Sequence, residues 1–189
     1  MNNYLKTLLG ALTITAFTVS SAYSGMGVSL MYGKVETDGT ETERTVSGVT
    51  SETTNASKSE NYIGGSIFAE GEFAGLTLGL DVVPFKIKLG DGKRTDTTSD
   101  ANESTQEDGT VSAEASLDYL TTIYAHYPIG DWYAGLGYHM TKVSTDEALH
   151  TSSYGNEDIN GLQYAIGKNS GNLRYELSYS DFDSISLTS

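Results

Sequence analysis

From Gly25 onward apolar and polar residues alternate with a period of two, in stretches near the roughly ten residues a tilted strand needs to cross a bilayer. Seven such strands are predicted. In the first, Val28, Leu30 and Tyr32 share one face and Gly27, Ser29 and Gly33 the other. The second sets Ile63, Ile67 and Ala69 against Tyr62, Ser66 and Glu70, and the third sets Leu76, Leu78, Leu80 and Val82 against Thr77, Gly79 and Asp81. The fourth sets Ala113, Ala115, Leu117, Tyr119, Ile123 and Tyr127 against Glu114, Ser116, Asp118, Thr122 and His126. The fifth sets Trp132, Ala134, Leu136, Tyr138 and Met140 against Gly135, Gly137 and His139. In the sixth, Leu162, Tyr164 and Ile166 oppose Gly161, Gln163 and Gly167; in the seventh, Leu173, Tyr175, Leu177 and Tyr179 oppose Arg174, Glu176, Ser178 and Ser180.

The connections fall into two alternating kinds. Short turns rich in turn-forming residues follow the second, fourth and sixth strands: Glu72-Phe73-Ala74-Gly75, Pro128-Ile129-Gly130-Asp131 and Asn169-Ser170-Gly171-Asn172. Long polar loops are expected after the first, third and fifth, over Glu36 to Glu60, Gly90 to Thr110 and Ser144 to Glu157. Short turns on one side and long loops on the other are the asymmetry of an outer-membrane barrel, with the turns facing the periplasm. Aromatic residues on the apolar faces, several near strand ends, agree with the preference of amphipathic rings for headgroup level.

The amino terminus changes the picture of compartment. Lys6, the apolar run Leu8 to Val19 and the small residues Ser20-Ser21-Ala22 read as an export signal over residues 1–22, with the barrel domain over 23–189. No window approaches the roughly 20 apolar residues of a spanning helix. There is no cysteine, so disulfides and thiolate metal sites are excluded. The net charge of −14 disfavours nucleic acid as a partner.

Several segments carry a family resemblance. Gly27-Val28-Ser29-Leu30-Met31-Tyr32-Gly33, the stretch Phe73 to Phe85, Lys93-Arg94-Thr95-Asp96-Thr97 and Asp183-Ser184-Ile185-Ser186-Leu187-Thr188 resemble the outer membrane protein β-barrel domain family, similar in plan to OmpA- and OmpX-type barrels. The resemblance covers nearly the whole chain and implies a monomeric or loosely associated antiparallel up-and-down transmembrane β-barrel of eight strands. It also implies the cell outer membrane of a Gram-negative bacterium as location, lipid and lipopolysaccharide as surroundings, and the barrel-assembly machinery as a partner. Relatives finish in an eighth strand. Here Asp181 to Ser189 reads as the start of a fourth loop, so seven strands are seen of an expected eight and the last is expected to be missing.

The predicted inward faces supply the candidate chemistry. Asp81, Glu114, Asp118, Gln163, Arg174 and Glu176 are expected to form an interior polar cluster with a structural role, since so narrow a barrel is filled by its own side chains and general porin-like diffusion is disfavoured. His126 and His139 are expected inside and His150 in a loop; none sits in a nucleophile motif such as G-x-S-x-G, so no enzyme is expected. The acids Asp91, Asp96, Asp100, Glu103, Glu107 and Asp108 lack the spacing of a calcium loop and read as solvated charge; no metal or cofactor is expected. The function expected is a structural or surface-interaction role through long external loops. The alternatives are an outer-membrane lipid-modifying enzyme, whose activity would depend on a histidine, and a soluble periplasmic ligand-binding barrel, which detergent dependence would separate.

Overall fold

A computed structural model of the chain describes residues 4–19, 25–44, 50–96, 109–148, 155–171 and 173–188. It is all-β and antiparallel. The strands are β1 (Tyr4–Val19), β2 (Met26–Arg44), β3 (Thr50–Phe73), β4 (Leu76–Val82), β5 (Ile87–Asp96), β6 (Gly109–Ile129), β7 (Trp132–Ala148), β8 (Glu157–Ser170) and β9 (Leu173–Thr188). The ladders run β1-β2-β3-β4-β6-β7-β8-β9 and return to β1, so the sheet curls until its ends meet. Nine strands fill eight positions, because β4 and β5 both pair with β6 and stack along one track.

The seven predicted strands are all present, and the structure alters their limits in three ways. In their described residues the expected loops are largely ladder: β2 and β3 stay paired out to Arg44 opposite Thr50, β5 reaches Asp96, and β7 reaches Ala148. These segments are polar on both faces, so alternation disappears while the Thr-rich backbone still favours extended pairing. The predicted third strand is broken at Val83–Lys86, where Pro84 has no N–H for a ladder. The eighth position is occupied by Tyr4–Val19, the stretch that reads as an export signal, which pairs with β2 on one side and β9 on the other.

The turns follow their sequences. Ala74 and Gly75 both take positive φ, 52° and 81°, as a tight hairpin requires, and Gly130 and Gly171 supply positive φ in the other two. A bulge in β6 has a larger effect. The register with β7 shifts between Asp118 and Thr121, and Tyr119 stands at φ 48°. Below the bulge the even residues Thr122, Tyr124 and His126 are buried inside; above it Leu117 joins the core with Ala115 against it. The predicted outer face of the fourth strand is therefore corrected: Ala115 and Leu117 face inward, and Glu114 and Asp118 share the opposite face.

The interior has two zones. Toward the long hairpins it is apolar, with Met31, Val35, Val83, Ile87, Leu89, Leu117, Val143, Ile159 and Phe182 packed together. Toward the short turns it is charged and aromatic. Room for those rings comes from glycines on neighbouring strands: Phe68 lies over Gly27, Tyr62 over Gly33, Tyr124 over Gly79, His126 over Gly135, Tyr133 over Gly167 and Phe182 over Gly161. Each ring and its glycine are direct cross-strand partners. A Cβ at Gly79 or Gly167 would stand 2.2 Å from the facing tyrosine ring, so these positions admit no side chain without displacing it.

Candidate functional site

Alternation along β9 sends Arg174, Glu176, Ser178 and Ser180 into the lumen, and β3, β6 and β7 answer with Glu70, Tyr124, His126, Tyr133 and His139. The Arg174 guanidinium crosses to the Glu70 carboxylate through two N–H···O bonds of 2.8 and 2.7 Å, a bidentate fork between β9 and β3. Tyr124 donates its hydroxyl to Glu70 at 2.9 Å and Tyr133 donates to Glu176 at 2.6 Å. The His126 ring is stacked between them, 4.5 Å from Tyr124 and 4.3 Å from Tyr133, and its Nε2 is 3.7 Å from Glu176. Arg174 also lies over the Tyr133 and Phe68 rings, at 5.5 and 5.8 Å.

Farther from the turns the polar groups thin out. Ser66 donates to Asp81 at 2.5 Å, and its hydroxyl also meets that of Ser29. His139 is held by Thr122 at Nδ1 and by Ser180 at Nε2, both at 2.7 Å, with Phe182 stacked on the ring. A hydroxyl within reach of an imidazole is one ingredient of nucleophilic catalysis, but His139 and Ser180 are only 3% and 2% exposed and each is already engaged. An internal cavity of about 80 Å³ lies between the polar and apolar zones.

Of the six residues expected to cluster, Asp81, Gln163, Arg174 and Glu176 line this cavity. Glu114 and Asp118 do not. Glu114 pairs with Lys88 at 3.2 Å and is half exposed; Asp118 accepts from Ser144 at 2.9 Å and lies 3.6 Å from Lys86. The Tyr119 bulge turned both away. Glu70, Tyr124 and Tyr133 are missing from the expected cluster, although their parity sets them with the inward residues. Of the loop acids, Asp100, Glu103, Glu107 and Asp108 lie outside the described residues, as does His150. Asp91 forms an ion pair with Lys88 at 3.0 Å. The hydrogen bond from Lys88 holds the Asp91 carboxyl below the usual carboxylate range, and Asp91 and Glu114 push the Lys88 ammonium up. Among the described residues no three histidine or acidic side chains are arranged to hold a metal ion.

The outer face carries the opposite polarity. Val28, Leu30, Ile63, Ile67, Leu78, Leu80, Ile123, Leu136, Leu162, Ile166 and Leu177 are all substantially exposed. Exposed rings border them on both sides. Tyr127, Trp132 and Tyr175 lie toward the turns, and Tyr32, Tyr119, Tyr138 and Tyr179 toward the hairpins. Past that upper border the outward positions become Lys34, Glu36, Lys142, Asp158 and Asp181, all exposed.

Comparison of the chain with protein-family models, with curated proteins and with solved structures finds no match.

Proposed function

We propose that the chain is an integral outer-membrane β-barrel of OmpA- or OmpX-like plan, with a structural or surface-interaction role carried by its long hairpins. One observation carries this reading: the outer face bears an apolar band, while the lumen toward the short turns is charged. A soluble barrel would leave more than a dozen large apolar side chains in water, far beyond the patches monomeric soluble proteins expose. In lipid the same band is matched to its solvent. On β6 the exposed apolar positions run from Tyr119 to Ile129, in keeping with the roughly 9–11 residues a tilted strand needs to cross a bilayer. The aromatic borders fit the two interfaces.

The lumen argues for support rather than passage. The Arg174–Glu70 fork and stacked rings obstruct the turn side, and Val35, Leu117 and Val143, at most 2% exposed, fill the hairpin side. Lipopolysaccharide and lipid are the expected neighbours of the outer face, and the hairpins carry any contacts beyond the surface. Residues 1–22 suit an export signal, but a cut before Tyr23 would remove β1, so the heat-modifiable band expected below is that of the uncut chain.

Fractionation of cells expressing the chain, followed by detergent extraction and gel mobility of boiled against unboiled samples, tests the reading. Recovery from the outer membrane with a heat-modifiable band is expected. Recovery as soluble periplasmic protein overturns it.

A further inference from the structure

Among the described residues the barrel wall has one split. β4 pairs with β3 over Ile67 to Phe73 and with β6 over Thr121 to His126, but beyond Val82 the chain leaves β3 and β5 pairs with β6 alone. Over residues 59–66 β3 keeps only β2 as a ladder partner, and among the described residues no ladder joins its other edge to β5. With no ladder across it, this seam is the weakest stretch of wall among the described residues.

Side chains cover it. The Phe85 ring, 39% exposed, lies against Gly64 on β3, and higher up the Lys58 ammonium reaches across to the backbone carbonyl of Asp91. Directly behind are Tyr62, Val83, Ile87 and Leu117, which line the apolar half of the cavity. In front stand Lys86 and Lys88, 60% and 44% exposed. The level matters as well. Gly64 follows Ile63, the last large apolar residue on the outer face of β3, so the seam opens where the apolar band gives way to charge.

We propose that the seam between β3 and β5 is a lateral entry through which the chain of a single-chain fatty acid reaches the cavity, its carboxylate resting on Lys86 and Lys88. This rests on the membrane-spanning reading above. The volume of about 80 Å³ is small, which favours the end of one acyl chain over the two of a diacyl lipid. Lys86 is paired with Asp118 and Lys88 with Asp91 and Glu114, and a carboxylate arriving at the rim takes over part of that pairing. Phe85 follows Pro84 in a segment outside the ladder, so its ring can leave Gly64 without breaking strand pairing.

The experiment uses the full chain refolded in a neutral detergent, with cis-parinaric acid as fluorescent probe and laurate as competitor. Saturable fluorescence displaced by laurate, and by dodecanol far less, is expected. The double variant Lys86→Glu/Lys88→Glu should weaken binding about tenfold, equivalent to losing one good ion pair, and Phe85→Ala should speed association with the heat-modifiable band retained. A heat-modifiable protein that binds no probe, or binds it equally in all three forms, overturns the seam. A chain recovered as soluble protein that still binds with the lysine and Phe85 dependence keeps the seam while the membrane reading falls.

Discussion

Arg174 and Glu70 are 104 residues apart and meet only because two strands on opposite sides of the lumen face each other. Both side chains are 10% exposed, so each depends on the other for its solvation. Arg174→Ala is expected to cost about 3–5 kcal/mol by leaving the Glu70 carboxylate without its fork. Arg174→Lys should recover only part of this, since an ammonium cannot reproduce the planar pair of bonds. Urea titration of the folded band in detergent measures both, and an Arg174→Ala protein as stable as the parent would show the fork to be dispensable. The partners of Arg174 were open to a parity argument. Glu70 stands two positions from Phe68 and four from Ser66, all on one face, but a list of acids near a single cation does not say which one is opposite it across a lumen.

At the level of elements, the strands in the apolar band could be read because their two faces differ in polarity. Where polar residues occupy both faces, as from Glu36 to Arg44, polarity no longer alternates and the ladder runs on beyond the alternating stretch. The bulge in β6 was invisible for another reason. Tyr119 is neither glycine nor asparagine, so nothing in its identity announces a positive φ, and the single unpaired residue shifted Glu114 and Asp118 out of the predicted cluster. Deleting Tyr119 should return β6 to one phase and drive Glu114 and Asp118 toward the apolar zone, with loss of the heat-modifiable band. Tyr119→Gly should keep the band and relieve strain of roughly 1–3 kcal/mol. A deletion variant that folds normally would refute the bulge as the source of the phase change.

Over the whole molecule, seven positions of the ring were legible and the eighth was not. A leader and a bilayer-crossing strand ask for similar things, a short apolar stretch with small residues, and Tyr4–Val19 satisfies both; pattern alone could not assign it. Its place between β2 and β9 makes a comparison decisive. The 1–189 chain refolded in detergent is expected to give a compact heat-modifiable band, and a 23–189 chain, with the edges of β2 and β9 left without β1, is expected to give none. Equal closure by both would show that β1 contributes nothing to the ring. The rings seated over glycines bear on a different quantity, the bore of the barrel. A slip of one residue between strands exchanges inside for outside and is ruled out by solvent, but a slip of two preserves the faces and passes that test. The glycines forbid it: moving β4 by two against β6 would set Tyr124 over Thr77 or Asp81, and moving β8 against β7 would set Tyr133 over Ala165 or Asn169. Stagger and strand number together determine diameter, so the spacing of small residues along these strands works as a gauge, fixing how wide the cylinder can be.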